Sequence, residues 1–290
     1  MVTAESIESV TMAETKRAAC VIGWPVKHSR SPKLHGYWIK KYGLDVDYRA
    51  EEVAPADFQA FIASLRTRGY AGANVTIPHK EMALALSTPD QRAINVGGSN
   101  TLWFDGDTLR STNTDVEGFI SALDAAAPGW NTRTREALVL GAGGAGRAVI
   151  FGLIEAGIET IHVANRNVDR AADVAQHFGP TVKHAPWSDI QTLLPSTNLL
   201  VNATSLGMTG QERLDIDIAA MPANSVVSDV VYVPLKTPLL RAAEARGFAT
   251  SNGLDMLLYQ AVRGFELWFG VRPEVTAEQR ALLVADLLVS

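Results

Sequence analysis

The chain has 290 residues, enough for one large domain or two smaller ones that each bury a core, and we expect two. Hydrophobic residues make up 47% of the sequence and charged residues 20%, which excludes a disordered or fibrous protein. The net charge of -5 gives no electrostatic reason to bind nucleic acid or a membrane surface, so we expect a small-molecule partner. One cysteine, no secretory leader pattern and no bilayer-length apolar run together predict a cytoplasmic protein.

The first part of the chain alternates short β-rich runs with helical patterns. Residues 1–16 are polar and aperiodic, which predicts a flexible tail. Alternation of strand and helix is typical of βαβ units around a mostly parallel sheet. Two apolar runs flank Asp105-Gly106-Asp107, a signal for a hairpin. The predicted elements are strands at 18–23, 47–53 and 71–77, helices at 32–42 and 55–68, and the hairpin strands 102–104 and 108–110.

A second alternation begins after a turn-rich stretch at 128–134, which itself follows a helix predicted at 116–126. The last 35 or so residues have a helical pattern, in which Leu257, Phe265 and Trp268 form an apolar face that we interpret as core. The remaining predicted elements are strands at 137–140, 160–164, 199–201 and 226–231, and helices at 146–156 and 169–178.

A glycine-rich loop, Gly141-Ala142-Gly143-Gly144-Ala145-Gly146, lies between the first strand and the first helix of this second alternation. The pattern G-x-G-x-x-G in that position is typical of dinucleotide binding. Gly141 would make the tight turn, Gly143 would let the backbone approach a pyrophosphate, and Gly146 would let the helix pack closely on the strand. The alternative is a turn without a ligand.

The residues after the second strand of this half favour one nucleotide over another. NAD-binding units usually carry Asp or Glu there, to bind the ribose hydroxyls. This sequence has Asn165-Arg166-Asn167 instead. An arginine attracts a 2′-phosphate, and its planar fork suits phosphate geometry, so NADP is favoured over NAD. Alternatively, Arg166 is a solvated residue at a helix start.

Two segments in the first half carry polar groups at places where a ligand could bind. Ser29-Arg30-Ser31-Pro32 sets two hydroxyls beside a helix start, with Ser31 suited to the cap and Pro32 to the first turn. In Asn74-Val75-Thr76-Ile77-Pro78-His79-Lys80, period-two alternation puts Asn74 and Thr76 on one face of a strand that ends beside Lys80. Parallel sheets bind ligands beyond such strand ends.

Seven separated blocks of the sequence resemble those of shikimate dehydrogenases and occur in the same order. The resemblance covers about residues 21–270, and the Asn-Val-Thr-x-Pro-x-Lys block is the most diagnostic. The blocks are Ser29-Arg30-Ser31-Pro32, the segment 74–80, Asn100-Thr101, Asn113-Thr114-Asp115, and the segments 202–208, 229–238 and 253–261.

This resemblance implies an α/β protein in which an N-terminal α/β substrate-binding domain and a Rossmann-type, doubly wound NADP-binding domain enclose a cleft. The substrate-binding domain would span residues 17–118 and be completed by C-terminal helices within 254–290. The NADP-binding domain would span 119–253. Such proteins reduce 3-dehydroshikimate to shikimate with NADPH, in the pathway to chorismate and the aromatic amino acids.

The resemblance also implies roles for individual residues. Lys80 and Asp115 would be the catalytic pair at C3, since reduction of a ketone builds negative charge on its oxygen and requires a proton donor there. Whether one residue is the sole acid or the pair titrates together stays open. Ser29 and Ser31 would hold the substrate carboxylate, Tyr232 would line the pocket, and the ring hydroxyls would contact Asn74, Thr76, Asn100, Asp115 and Gln260.

The implied cofactor site has the glycine loop at its centre. Its residues would be Gly141, Ala142, Gly143, Gly144, Ala145, Asn165, Arg166, Asn167, Thr204 and Gly253. Asn167 stands where threonine is common in the family, and Gly98-Ser99 stands where Ala and Val usually precede Asn100, so the pocket wall there could be altered or more flexible. The six histidines show no metal-ligand spacing, so we predict no metal, and a helix-start role is expected for His79.

Three alternatives stay open at this point. A quinate or quinate/shikimate dehydrogenase that prefers NAD shares the catalytic blocks, although Arg166 and the two serines argue against it. A relative that acts on an aminated substrate has the same fold. A nucleotide-sensing protein without turnover has no physical need for Lys80 and Asp115. The oligomeric state, monomer or homodimer, is open as well.

Overall fold

Two six-stranded sheets organise residues 16–289, the part of the protein that a computed structural model describes. Each sheet comes from its own stretch of the chain. The predicted tail lies outside the described residues except for Lys16, which pairs with Asp45 and Asp47.

The first sheet is parallel on one side and largely antiparallel on the other. Its strand order is β2-β1-β3-β5-β6-β4, with β1 parallel to β2 and β3, and β5 antiparallel to β3 and β6. The predicted hairpin is therefore confirmed. All residues of β1 are buried, as expected for a strand covered on both faces. The strands are β1 Ala18–Gly23, β2 Asp47–Glu52, β3 Tyr70–Val75, β4 Thr88–Pro89, β5 Thr101–Asp105 and β6 Thr108–Thr112.

The helices of this half begin and end at points that correct two predictions. The helix predicted to reach residue 68 ends at Ala63, and the chain then turns through Gly69, whose φ is 83°. Ser31 is not the cap of α1 but its first residue, and its N–H donates to Ser29 Oγ at 3.2 Å. The helices are α1 Ser31–Lys41, α2 Phe58–Ala63, α3 Lys80–Ala85 and α4 Gln91–Val96, with a 3₁₀ turn at Pro55–Asp57.

The second sheet is parallel throughout and doubly wound, as predicted. Its order, β12-β11-β10-β7-β8-β9, reverses direction between β7 and β10, and open sheets of this kind bind ligands beyond such a reversal. The sequence did not predict strands β9 and β12, because each has only four residues and at least half of them are polar. The strands are β7 Glu136–Leu140, β8 Thr160–Ala164, β9 Val182–Ala185, β10 Leu199–Asn202, β11 Val226–Asp229 and β12 Ala249–Asn252.

Eight further helices cover this sheet and return the chain to the first one. Trp268 in α11 donates from Nε1 to the Leu102 carbonyl of β5 at 2.7 Å, and α11 packs on β3, β5 and α5. Of its predicted apolar face, Phe265 and Trp268 are fully buried in the core, and Leu257 is partly buried. These eight helices are α5 Asp115–Ala126, α6 Trp130–Arg133, α7 Gly144–Glu155, α8 Val168–Phe178, α9 Ile190–Leu193, α10 Pro238–Ala245, α11 Gly253–Phe269 and α12 Ala277–Val289.

Helix α5 joins the two halves. It runs without a break through the predicted boundary between residues 118 and 119 and packs on both α7 and α11. The division into 17–118 and 119–253 stays a prediction, and a helix shared by both parts makes any single boundary in this region arbitrary.

A buried histidine lies in the aromatic core of the first half. The ring of His35 is fully buried and stacks on that of Tyr48, with 4.0 Å between their centroids. Among residues 16–289, neither ring nitrogen of His35 has a hydrogen-bond partner. Burial disfavours the charged form and lowers the pKa of His35 to about 3.

This histidine should make the protein lose stability in mild acid. The His35 ring binds a proton near pH 6.5 in the unfolded chain but only near pH 3 in the folded protein. The folded state therefore becomes less stable relative to the unfolded state as the pH falls from 6.5 towards 3. At pH 5 we expect a loss of about 2 kcal/mol relative to pH 7 that His35→Leu does not show. Urea unfolding at both pH values measures it. His184 is exposed, so the control variant His184→Gln should lose as much stability as wild type. Equal losses in wild type and His35→Leu would contradict the role of His35 in this pH dependence.

Candidate active site

A cleft of about 440 Å³ lies beyond the carboxyl ends of strands from both sheets. Its walls include the ends of β1 and β3, the start of α7 and part of α11. The cleft is large enough for a small ring-shaped ligand. It brings together all nine residues that the sequence proposed for catalysis and substrate binding: Ser29, Ser31, Asn74, Thr76, Lys80, Asn100, Asp115, Tyr232 and Gln260.

An ion pair lies at the floor of the cleft. Lys80 is the first residue of α3 and Asp115 the first of α5, and Lys80 Nζ donates to Asp115 Oδ2. The other carboxylate oxygen, Oδ1, accepts from Asn100 Nδ2 at 2.8 Å. The two side chains are 17% and 11% exposed, so they are screened from water yet reachable from the cleft. The arrangement holds an ammonium group beside a fixed carboxylate.

Asn100 is itself held on both sides. Its carbonyl accepts from the Val75 N–H at 2.7 Å, and its Oδ1 accepts from the Thr114 N–H, also at 2.7 Å. Asn113 adds a further link, since its Oδ1 accepts from the Asp115 N–H at 3.1 Å and its Nδ2 donates to the Gly98 carbonyl at 2.8 Å. Asn113 and Thr114 belonged to a recognised block but received no role from the sequence. Asn113 fixes the backbone at Asp115, and Thr114 fixes the Asn100 side chain that holds the Asp115 carboxylate.

Further polar groups line the same cleft. Asn74 accepts a hydrogen bond from the hydroxyl of Tyr48 at 2.6 Å, a contact that the sequence did not predict. Gln260 Nε2 donates to the Leu257 carbonyl at 3.0 Å, one turn earlier in α11. Burial raises the pKa of Tyr232, which keeps its hydroxyl protonated and able to donate.

The glycine loop contributes Gly144 and Ala145 to the lining of the cleft. Gly141 has a φ of 106°, which side chains rarely adopt, and a Cβ on Gly146 would lie 2.1 Å from the Gly141 carbonyl oxygen. A Cβ on Gly143 would meet nothing within 4 Å. Gly141 and Gly146 are thus required by the fold, while Gly143 leaves open space at the start of α7, where N–H groups favour an anion. That space fits a pyrophosphate.

The residues after β8 lie beside this loop. Asn165 Oδ1 accepts from the Ala142 N–H at 3.3 Å, and Asn167 Oδ1 caps α8 by accepting from the Arg170 N–H at 3.1 Å. Arg166 is exposed and forms an ion pair with Glu212. Arg170, to which the sequence gave no role, lines a second cavity of about 410 Å³ together with Gly143.

A buried carboxylate organises the ends of β10 and β11. Asp229 accepts hydrogen bonds from Asn202 Nδ2 at 2.9 Å, the Val231 N–H at 3.0 Å and Thr237 Oγ1 at 2.7 Å. Burial raises the pKa of Asp229 to about 6, although these hydrogen bonds act in the opposite direction. Thr204 joins the network through Asn202 Oδ1 at 2.7 Å. The network therefore fixes the loops that carry Thr204 and Tyr232.

The histidine that directly precedes Lys80 is buried. His79 occupies the position before α3, as the sequence suggested, but its side chain makes no capping bond. Instead Nε2 contacts the Val53 carbonyl at 2.8 Å and the ring stacks on Phe58. Among residues 16–289, no three His, Cys, Asp or Glu side chains are grouped so as to hold a metal ion. In the same range no helix is both long and apolar enough to cross a membrane.

Three family models match successive parts of the chain. The shikimate dehydrogenase substrate binding domain matches residues 21–102, shikimate / quinate 5-dehydrogenase matches 124–224, and the shikimate 5′-dehydrogenase C-terminal domain matches 253–283. The chain belongs to the shikimate dehydrogenase family. Asp286 lies outside all three matches.

Several members of the family are similar over nearly their whole length. The NADP-dependent shikimate dehydrogenase of Rhodopseudomonas palustris strain TIE-1 is 60% identical, with 95% of this chain and 99% of the relative covered. That of Nitrobacter winogradskyi is 61% identical, with 96% and 100% covered.

Solved structures of the family have the same fold. Shikimate 5-dehydrogenase of Thermus thermophilus in complex with NADP(H) and shikimate has a TM-score of 0.83 and 34% identity, with 93% of this chain and 99% of that one covered. Quinate dehydrogenase of Corynebacterium glutamicum in complex with NAD has a TM-score of 0.86 and 29% identity, with the same coverage.

The departure of this family member at Gly98-Ser99 has local consequences. A Cβ on Gly98 would lie 3.4 Å from the Cβ of Lys80, so glycine leaves the lysine stem less crowded. Ser99 is fully buried, and its hydroxyl lies 2.7 Å from that of Ser111, which in turn accepts from Ser87 at 2.7 Å. The hydroxyls of Ser87, Ser99 and Ser111 thus form a short chain near the wall that Lys80 shares with Gly98.

Proposed function

We propose that this protein is an NADP-dependent shikimate dehydrogenase, which interconverts 3-dehydroshikimate and shikimate on the route to chorismate and the aromatic amino acids. The observation that carries the proposal is the Lys80–Asp115 ion pair, screened from water in a cleft that the glycine loop faces. The relatives at about 60% identity are NADP-dependent shikimate dehydrogenases, which supports the same activity here. We expect a cytoplasmic monomer or homodimer.

Lys80 and Asp115 would move the proton of the reaction. A bound cofactor would supply the redox chemistry, with NADP as the hydride acceptor for the alcohol and NADPH as the hydride donor for the ketone. As the ketone at C3 is reduced, the Lys80 ammonium donates a proton to its oxygen, and in the other direction the amine accepts one. Asp115 stabilises the ammonium through Oδ2, and Asn100 holds the carboxylate in place through Oδ1. Both residues therefore take part in the proton transfer, Lys80 as the group that carries the proton and Asp115 as the group that stabilises the charged lysine.

Neutral donors would hold the substrate in register with that pair. The hydroxyls of Ser29, Ser31 and Tyr232 would bind its carboxylate, while Asn74, Thr76, Asn100 and Gln260 would bind its ring hydroxyls. Each of these side chains lines the cleft, and several are fixed by other residues, as Asn74 is by Tyr48. Groups held in place before binding lose little freedom when the substrate arrives.

In the nucleotide site, the glycine loop, which includes Ala145, and Gly253 would contact the pyrophosphate and the nicotinamide half of the cofactor. Asn165, Arg166, Asn167 and Thr204 would serve the adenosine side. The space beside Gly143 and the exposed guanidinium of Arg166 support this assignment.

We expect Gly143→Ala to impair cofactor binding without harming the fold. The added methyl meets no protein atom within 4 Å, but it would occupy space that the pyrophosphate needs. KM for NADP should rise about tenfold or more, the effect of about 1–3 kcal/mol of overpacking. The melting temperature should stay unchanged. Gly146→Ala is the matched control, since its methyl meets backbone at 2.1 Å and should lower the melting temperature. An unaltered KM for NADP in Gly143→Ala would place the pyrophosphate elsewhere.

The function is tested by steady-state oxidation of shikimate and quinate, each with NADP and with NAD. We expect kcat/KM for shikimate with NADP to exceed every other combination by about 100-fold or more, the discrimination that charge-assisted hydrogen bonds provide. A higher kcat/KM for quinate or with NAD would replace the proposal with a quinate or quinate/shikimate dehydrogenase that prefers NAD. NADPH binding without turnover of any substrate would indicate a nucleotide-sensing protein.

A further inference from the structure

The residue between the two cleft serines connects their loop to a distant helix. Arg30 lies between Ser29 and Ser31, and its Nε is 2.9 Å from Asp286 Oδ2 in α12. The Arg30 and Asp286 side chains are only 17% and 20% exposed. Arg30 Nη1 also donates to the His28 carbonyl at 3.4 Å. The guanidinium thus bridges the backbone of the serine loop and the C-terminal helix.

Helix α12 is itself held firmly against α1. Gln279 Nε2 donates to the Leu34 carbonyl at 3.3 Å, and Leu283 is fully buried in the cluster that contains Leu34 and Trp38. Just before α12, the Glu274 carbonyl accepts from Trp38 Nε1 at 3.1 Å. Because these contacts fix α12 relative to α1, the Asp286 carboxylate is a rigid anchor for the loop that precedes α1.

We propose that Asp286 is a positioning residue for the substrate carboxylate: through Arg30 it holds the Ser29 and Ser31 hydroxyls at the distance that hydrogen bonding requires. This inference rests on the proposed function, in which those serines bind the carboxylate. Asp286 also pairs with Lys33 in the first turn of α1, which helps to keep its carboxylate in place. Asp286 is not among the residues that line the cleft, and its ion pair with Arg30 connects it to the serines.

Removing Asp286 would have two opposing effects on the affinity for the substrate. Without the Asp286 charge, the positive charge of Arg30 is less neutralised and would attract the substrate carboxylate more strongly. Without the anchor, the serine hydroxyls lose their fixed positions, and hydrogen bonds weaken steeply with poor geometry. We expect the loss of position at two hydroxyls to outweigh the gain in attraction, and KM for shikimate measures which effect prevails. The substrate should therefore bind more weakly.

The test compares Asp286→Asn with Glu278→Gln. Glu278 accepts from the Tyr37 hydroxyl at 3.1 Å, so the control makes the same carboxylate-to-amide change at a contact between the same two helices without touching the serine loop. Asp286→Asn is expected to raise KM for shikimate about tenfold, as for a weakened hydrogen bond to a charged group, with kcat and KM for NADP within about twofold. Glu278→Gln should leave all three values at wild-type level. Arg30→Gln should repeat the rise in KM.

A probe without the carboxylate separates positioning from general damage. For the cyclohexenetriol that corresponds to shikimate without its carboxyl group, kcat/KM of Asp286→Asn and wild type should agree. An equal loss with the triol, or a joint change in kcat and KM for NADP, would reduce Asp286 to a structural role and overturn the inference. So would an unchanged or lower KM for shikimate. Wild-type turnover of shikimate tests the proposed function separately, so the two failures are distinguishable.

Discussion

Replacing Lys80 by methionine should lower kcat for shikimate oxidation about 10³-fold, within the range expected for the loss of a general acid–base group. Methionine keeps an unbranched apolar stem of similar length, so the packing beside Gly98 is retained. What disappears is the ammonium that contacts Asp115 Oδ2. Because Lys80 is proposed to act on the substrate oxygen and not to hold the cofactor, KM for NADP should change by less than about threefold.

The same measurement on Asp115→Asn tells whether the two residues act as a unit. Groups that act together are non-additive, so the double variant should be no slower than the slower single variant, within about threefold. Lys27→Met is the matched control, since Lys27 is exposed and pairs only loosely with Glu52 at 3.5 Å. A Lys80→Met enzyme with kcat near that of wild type would remove Lys80 from the proton transfer.

The second large effect is expected at Arg166, as a change in cofactor preference. Arg166→Gln should lower kcat/KM with NADP by about 10- to 100-fold, the range for a lost hydrogen bond to a charged group. With NAD, which lacks the 2′-phosphate, the value should change by less than about threefold. The ratio of the two therefore falls, and steady-state kinetics with both cofactors measures it.

The control for Arg166 is an arginine at the opposite end of the same sheet. Arg135 directly precedes β7 and is exposed, so Arg135→Gln should affect neither cofactor. Equal losses with NADP and NAD in Arg166→Gln would mean that the guanidinium contacts a part that both cofactors share. Arg170 would then be the better candidate for the 2′-phosphate, given its place beside Gly143.

The sequence predicted best the features that depend on residues close together in the chain. The glycine loop between β7 and α7 is such a case, because a left-handed turn and close packing admit only glycine at Gly141 and Gly146. The parallel strands of the second half followed from their alternation with helices, and the doubly wound order was implied by the family resemblance. The residues around the cleft came from ordered blocks, since no periodicity relates Lys80 to Asp115. Their convergence depends on two separate helix starts that meet only in the folded chain.

What the sequence could not predict are contacts between distant segments of modest polarity. Tyr48 lies in an exposed-looking strand, yet its hydroxyl holds Asn74 beneath the cleft. Glu212 lies in an irregular loop and reaches Arg166 only because β8 and β10 end at the same edge. Asp286 lies more than 250 residues after Arg30. Pairings of this kind leave no pattern in the local sequence.

The return of the chain to its first sheet sets an order of folding during synthesis. Strands β5 and β6 are complete at Thr112, but Trp268, which bonds to the Leu102 carbonyl, emerges only after the whole second sheet. At about 5–20 residues per second, the apolar face that α11 covers stays open for roughly 10–30 s. The second half can meanwhile complete its own parallel sheet. The ribosome thus delivers a finished nucleotide half beside an unfinished substrate half, which makes the latter the part most in need of a chaperone.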